Sequence, residues 1–340
     1  MRAIQLREPK SFQYIEIAEP AMPGPGEALV RVHCVGICGS DVSGYLGKMP
    51  FYSYPRIPGH ELGVEVLAAG EGVSNVQVGQ TCSVEPYINN PQSFASRRGN
   101  SNCCEDVQVL GVHTDGGLRP RFILPARKLH PSSQLSLDQL ALVETLAIGC
   151  HAVNRGNAQA AEHALVIGAG PIGLSVIEFL KLKGSTITVL DLNAQRLQFC
   201  KDVMGVQHTV QAEGNDSDLA RLEEITGGSL FTAVFDATGS VPSMNGAFRY
   251  VGHTGRIVFV GIVTAEISFA DPLFHRREMT ILASRNALPQ EFRFIIEKIE
   301  EGQIDTRPWI THRTAFDDVI EAFPTLIRPE TGVIKAIIDL

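Results

Sequence analysis

The segment HALVIGAGPIG, followed by TITVLD ending at Asp191, restricts this 340-residue chain more than any other part of it. An apolar run of strand length meets glycines at Gly168, Gly170 and Gly173, and a helical pattern begins at Pro171. In the spacing G-x-G-x-x-G the first glycine permits a tight turn, the second lets backbone approach a pyrophosphate, and the third lets helix and strand pack closely. The helix amino terminus then faces the phosphates. Asp191 stands eighteen residues after Gly173 at the end of the next strand. A carboxylate there can bond both ribose hydroxyls of NAD and repels a 2′-phosphate, so NAD is expected over NADP, with Arg196 as the nearby residue that speaks for the phosphorylated cofactor. A bare turn followed by a helix-capping aspartate is the weaker alternative.

A strand–turn–helix–strand unit needs neighbours to bury both faces of its sheet. The flanking sequence supplies them. Strands are expected at Ala164–Ile167, Thr186–Leu190, Gln207–Val210, Ala233–Phe235, Arg256–Val260 and Thr280–Ala283. Helical runs lie between most of them, at Pro171–Lys183, Ala194–Met204, Asp216–Ile225 and Val241–Val251, which fits an open parallel sheet with helices on both faces. Before Val143 the pattern changes to short strand-like runs broken by Gly and Pro, so that half reads as mostly β. The expected division is a β-rich domain at 1–150, a dinucleotide-binding domain at 151–286, and a tail at 287–340 too small to stand alone, carrying a helix at Gln290–Glu301 and strands at Thr314–Phe316 and Val333–Asp339, that packs back on the first domain.

Composition narrows the function class. A formal charge of -8 with no basic run longer than a pair argues against nucleic acid or an anionic membrane surface, which leaves small molecules as partners. The amino terminus has no apolar core of signal-peptide length, and seven scattered cysteines suit reduced thiols. A cytoplasmic location is expected.

Outside the nucleotide motif, chemistry concentrates between Val35 and Gly63, VGICGSDVSGYLGKMPFYSYPRIPGHELG. This stretch reads as a polar, Gly- and Pro-rich loop, neither helix nor long strand. It carries Cys38 at one end and His60 with Glu61 at the other. Thiol, imidazole and carboxylate brought together from separate turns are what an open, catalytic zinc site needs, because a coordination position stays free. On Cys38 or His60 alone a buried thiol and a hydrogen-bonded histidine would be the better reading.

With both halves in view, the chain resembles the zinc-dependent medium-chain dehydrogenase family along nearly its whole length. The matching signatures are GICGSD at 36–41, PGHE at 58–61, VET at 143–145, GAGPIG at 168–173 and DATG at 236–239. Within the family it is most similar to the sorbitol and sugar-acid branch. The segments FYSYPRIPGHE and DPLFHRREMTILASRNALPQEF are closest to L-galactonate (L-gulonate) 5-dehydrogenase-like enzymes. The resemblance implies a GroES-like β-rich catalytic domain, a Rossmann doubly wound α/β domain, and an active site in the cleft between them. It implies one catalytic zinc per chain on Cys38, His60 and Glu144, with Glu61 as a direct or exchanging fourth ligand. Asp41 is then a support behind the ligands, and Ser40 the hydroxyl that takes the substrate proton. NAD would lie against Gly168, Gly170, Pro171, Ile172, Gly173, Asp191 and Arg196, with Val260, Ile262 and Ser284 near the nicotinamide. Arg285 would face the substrate and Tyr45 would line its pocket. Family members are usually homodimers or homotetramers.

Two departures from the family pattern carry expectations of their own. Many relatives hold a structural zinc with four cysteines, and the matching positions here are Asn90, Ser93, Ser96 and Cys104. Serine and asparagine are poor zinc ligands, so that site is expected empty, with Cys103 and Cys104 a structural or incidental pair. Ser43 stands where many relatives have the histidine that ends a proton relay, which leaves water or the cofactor ribose as the exit. The expected activity is oxidation of a secondary hydroxyl of a sugar acid. The alternatives are a neutral polyol or simple alcohol as substrate, or a dinucleotide-binding protein that has lost catalysis.

Overall fold

The computed structural model describes residues 1–50 and 52–340. Phe51, the first residue of the FYSYPRIPGHE segment, lies outside the described residues. The chain divides into two compact units, Met1–Thr145 with Leu288–Leu340, and Leu146–Ala287.

The first unit begins with the hairpin β1 (Arg2–Glu8) and β2 (Ser11–Glu16), then β3 (Glu27–Gly36), helix α1 (Gly39–Tyr45), β4 (Glu61–Ala69) and β5 (Thr81–Val84). A small lobe follows, bounded by β6 (Tyr87–Ile88) and β7 (Gln108–Val109) and holding the short helix α2 (Phe94–Arg97). Then come β8 (Arg121–Pro125), β9 (Leu129–Pro131) and the long helix α3 (Leu137–Arg155), within which the unit boundary falls. Alternation along β3 buries Ala28, Val30, Val32 and Cys34 on one face, the expected pattern of a half-buried antiparallel strand. The loop after β3 is not wholly irregular: α1 corrects the expectation of no helix there. Its seven residues survive two glycines because the Asp41 carboxylate accepts the Cys38 backbone N–H at 3.0 Å, closing a capping box on the helix start.

The second unit runs β10 (His163–Ile167), α4 (Pro171–Lys183), β11 (Thr186–Asp191), α5 (Ala194–Asp202), β12 (His208–Gln211), α6 (Asp216–Ile225), β13 (Phe231–Asp236), α7 (Val241–Gly246), β14 (Val251–Phe259), α8 (Asp271–Arg276) and β15 (Thr280–Ala283). Its six strands are all parallel, in the order β12-β11-β10-β13-β14-β15, so the chain reverses direction across the sheet after β12. That is the doubly wound arrangement with a topological switch beside β10, where such sheets take their ligands. Helix α8 was not expected; it is less than two turns long and starts on Asp271-Pro272, a dipeptide that reads as a turn.

The last segment returns to the first unit as α9 (Pro289–Glu300), β16 (Ile310–Ala315), α10 (Val319–Leu326) and β17 (Lys335–Asp339). Strand β17 pairs antiparallel with β3, with Ile337 opposite Gly36 and Asp339 opposite Cys34. Helix α9 docks through Phe292, which stacks on His130 at 5.0 Å between ring centres, and through Glu300, which accepts from Ser132 Oγ at 2.6 Å. Helix α10 escaped the sequence reading because Pro324 sits near its end.

Candidate metal centre and dinucleotide loop

Strand pairing brings the first set of site residues together. Gly36 at the end of β3 lies opposite Glu61 at the start of β4, and β17 runs along the other edge of β3. A side chain on residue 36 would meet the Glu61 Oε2 atom at 2.0 Å, so only glycine leaves room for that carboxylate. Cys38 caps α1, two residues beyond Gly36. The result is that one ligand atom each from Cys38, His60 and Glu61 lie within 4.8 Å of one another, with His60 and Glu61 buried. Among the described residues no other group of three such side chains forms. Thiolate, imidazole and carboxylate form a zinc-type donor set, and the His60 Nδ1 and Asp41 Oδ1 atoms are buried without a hydrogen-bond partner. Those two atoms lie 3.9 Å apart. The residues therefore fit the metal that the sequence pattern implies.

A residue that sequence reasoning missed completes the charge pattern. Lys335 on β17 is 1% exposed and donates to both Glu61 oxygens, at 2.6 and 2.7 Å, and to the Ile37 carbonyl at 3.2 Å. Burial by itself would push the Glu61 carboxyl up, but the Lys335 ammonium and His60 outweigh it and hold it below the usual value. Glu144 on α3 is also buried, and its carboxylate accepts from the Tyr87 phenol at 2.5 Å. Burial raises the Glu144 carboxyl; His60 draws it down and Glu61 pushes it back up, with a net rise. Glu144 is not in the group that converges within 4.8 Å. For His60, burial lowers the basicity, but Cys38 and Asp41 more than offset that and the net shift is upward. Ser40 Oγ lies 3.4 Å from His60 Nε2.

Tyr45, expected along a substrate pocket, is instead in the core: it is 8% exposed, stacked on Phe12 at 5.3 Å and tilted against Phe323 at 5.0 Å. Its aromatic area is worth more against those rings than at a wet site. Arg56 braces its loop, donating to Ser53 at 2.6 Å and to Asp115 at 3.3 Å. Arg277 donates to the Arg249 and Val251 carbonyls, while Arg285 is exposed. In the β6–β7 lobe, Cys104 is buried and accepts the Asn90 N–H at 3.3 Å, and Cys103 is exposed. Ser96 donates its N–H to Ser93 Oγ and receives Asn89 Nδ2 on its own hydroxyl.

In the second unit the glycines act as their spacing requires. Gly168 adopts φ +96, a conformation that side chains disfavour, and a Cβ on Gly173 would sit 1.8 Å from the Gly168 carbonyl oxygen. Helix α4 begins with Gly170 as its cap and Pro171 at its first position, so Ile172 and Gly173 complete its first turn. Asp191 accepts from the Ala169 N–H at 2.6 Å and the Asn193 N–H at 2.7 Å, clamping the glycine turn to the end of β11. The Arg196 Nη1 atom lies 3.7 Å from where a Cβ on Gly170 would be. Ser284 Oγ is buried without a partner, Val260 is half-buried, and Ile262 is 55% exposed for a large apolar side chain. An orphaned hydroxyl and an uncovered apolar side chain suit a cradle for a flat ring.

Comparison with known proteins agrees with this geometry. Residues 24–134 match the model of the alcohol dehydrogenase GroES-like domain, and residues 171–301 that of the zinc-binding dehydrogenase. The chain is 35% identical over 338 residues to the L-galactonate-5-dehydrogenase of Escherichia coli K12, covering 99% of this chain and 98% of that protein. It is 32% identical over 346 residues to the 2-dehydro-3-deoxy-L-galactonate 5-dehydrogenase of Pseudoalteromonas atlantica, covering 100% and 98%. A crystal structure of a short chain alcohol dehydrogenase from Escherichia coli CFT073 with NADH superposes with TM-score 0.92 at 27% identity, over 100% of this chain and 99% of that one.

Proposed function

The chain belongs to the zinc-dependent medium-chain alcohol and polyol dehydrogenase family, and on that footing we propose that it oxidises a secondary hydroxyl of a sugar acid of the L-galactonate or L-gulonate kind with NAD. The observation that carries the reading is the convergence of Cys38, His60 and Glu61 in a fold whose other unit presents a dinucleotide loop closed by Asp191. The relatives that act on galactonates, at 35% and 32% identity along the whole chain, support the sugar-acid substrate.

In this reading Cys38 and His60 hold the metal, with Glu144 and Glu61 as carboxylate partners. Zinc, when bound, supplies Lewis acidity of the order that brings water from a pKa of about 16 to about 7, or about 12 kcal/mol. A positioned base alone would supply roughly 3 to 5 kcal/mol, and the chain's own residues hold and move the proton. Cys38 thiolate and two carboxylates carry three negative charges, and Lys335 beside Glu61 offsets one of them. Asp41 keeps Cys38 at the helix start by accepting its backbone N–H. Ser40 Oγ receives the hydroxyl proton, and with serine at position 43 the proton leaves through water. The substrate carbon loses a hydride to NAD, giving a ketone, NADH and a proton. Asp191 binds the ribose hydroxyls, with Val260, Ile262 and Ser284 toward the nicotinamide. Arg285 offers a guanidinium to the substrate carboxylate.

A homo-oligomer fits the exposed edge strand β15, whose outermost position in the sheet leaves one side of its backbone ladder unpaired. A cytoplasmic location fits seven cysteines that are all free among the described residues, none of whose helices is long and apolar enough to cross a membrane.

The decisive experiment is a panel of hexonates and neutral polyols offered with NAD and NADP, following the absorbance of the reduced cofactor. Turnover of hexonates with NAD is expected; turnover of neutral polyols alone would replace the sugar-acid reading with a polyol dehydrogenase. Arg285→Ala separates the two further, because it should depress kcat/KM on hexonates and spare polyols, whereas equal loss on both removes the carboxylate contact. A purified chain that takes up no zinc and reduces no NAD would make it a dinucleotide-binding protein without catalysis.

A further inference from the structure

The β6–β7 lobe has one buried thiol where the resemblance to the family would place four metal-binding cysteines, yet its two strands still pair. Its strands show what it still carries. Tyr87 is the first residue of β6 and pairs with Val109 of β7, so the neck of the lobe sets the position of its ring. Tyr87 is 2% exposed, and its ring edge meets Phe292 of α9 at 6.3 Å and 71°. Its phenol O–H points to Glu144 Oε1 and donates to it at 2.5 Å.

Glu144 differs in this respect from the other carboxylate of the site. Both Glu61 oxygens are taken by Lys335, whereas Tyr87 engages one oxygen of Glu144. A carboxylate held at one oxygen by a neutral donor has its orientation fixed and its other oxygen left for a cation. This is the usual service that a hydrogen-bonding neighbour performs for a metal-binding carboxylate. We propose that Tyr87 is a positioning residue for the metal centre: its phenol holds one oxygen of Glu144 so that the other is presented to the ion, and the lobe is retained in this chain as the mount for Tyr87. The proposal rests on the reading of Glu144 as a zinc partner. It explains how a lobe with one buried thiol and local hydrogen bonds among Asn89, Asn90, Ser93 and Ser96 is tied to function.

The test uses the full-length protein and reads metal affinity rather than turnover. Tyr87→Phe keeps the ring against Phe292 and removes only the donor. Phe292→Leu weakens that packing and leaves the phenol in place. Zinc affinity is measured by competition with a chromogenic chelator, and geometry by the visible spectrum of the cobalt-substituted protein. Tyr87→Phe is expected to weaken zinc binding about 10- to 100-fold and to change the cobalt spectrum. Phe292→Leu is expected to lower the melting temperature while leaving zinc affinity within about threefold of wild type. Wild-type zinc affinity and an unaltered cobalt spectrum in Tyr87→Phe overturn the proposal, as does a fall in affinity that merely follows the loss of stability in both variants. Should Tyr87→Phe fail to fold, 3,5-difluorotyrosine at position 87 keeps ring and donor but makes the phenol more acidic. Zinc affinity must then shift by at least about threefold, and no shift overturns the proposal. A wild-type chain that binds no zinc overturns the metal reading and this proposal with it; wild-type zinc uptake with an indifferent Tyr87→Phe overturns this proposal alone.

Discussion

Lys335 and Gly36 govern the Glu61 carboxylate from two sides. The lysine directs its donors to both Glu61 oxygens, out of contact with water, and to the Ile37 carbonyl in a partly buried contact. Removing one partner of such a pair leaves a buried charge uncompensated, at a cost of about 3–5 kcal/mol. Lys335→Met is therefore expected to lower the unfolding free energy measured by urea denaturation by that amount, and an unchanged value would show that Glu61 has another counter-charge. Gly36→Ala places a methyl at 2.0 Å from the Glu61 Oε2 atom and must displace it. A misplacement of ~1 Å at a reacting centre costs on the order of 10²-fold, which steady-state rates with NAD would register. Cys38, His60 and Glu61 were legible as residue types in a loop. Lys335 was not, because it is 274 positions from Glu61 in the chain and reads locally as one polar residue in a terminal strand. Tyr45 was misread for the opposite reason: an aromatic residue next to a reactive loop says nothing of which side its ring takes.

At the level of elements, the β10–α4–β11 unit was the most legible part of the chain, since turn chemistry and strand alternation are local properties. Asp191 holds the turn itself through Ala169 and Asn193, besides the ribose contact proposed for it. Hydrogen bonds to charged groups are worth about 1.5–3 kcal/mol, so Asp191→Ala should raise the KM for NAD roughly 10- to 100-fold while kcat falls less. Equal KM values for the two proteins would remove Asp191 from the cofactor site. The opposite end of the same sheet is held by Glu162. Its oxygens accept from Arg256 at 2.6 and 2.7 Å and from Thr232 at 2.7 Å. Burial pushes this carboxyl up, but the hydrogen bonds from Arg256, Thr232 and the Gln159 N–H prevail and bring it down to about 2. A carboxyl lowered in the folded state stabilises fully above its unfolded value near 4.5 and loses that contribution as pH falls toward 2. The melting temperature of Glu162→Gln should thus lie below wild type at pH 7, with the gap narrowing as pH is lowered from about 5 toward 2. A constant gap would mean that the ion pair contributes nothing. Helix α1 was not legible as a helix because two glycines in seven residues argue against one; the Asp41 cap that rescues it is a single side-chain geometry.

For the whole molecule, the donor set predicts about one zinc per chain by metal analysis, because the lobe presents one buried thiol where four would be needed. Two per chain would place a second ion in that lobe. Since an ion that binds only the folded state adds stability by mass action, stripping it with a chelator should lower the melting temperature and restoring zinc should recover it. What the sequence determined by itself was whatever depends on short range: the dinucleotide turn, the alternation of strand and helix after residue 163, the ligand types Cys38 and His60-Glu61, and the missing thiols of the lobe. These follow from local sterics and side-chain chemistry. The tertiary structure alone decided which distant side chains share a buried site. Pairing β17 against β3 brought Lys335 to Glu61, and the neck of the lobe brought Tyr87 to Glu144. In a low-dielectric interior those partners set the charge and orientation of each carboxylate, and no spacing within a single segment encodes them.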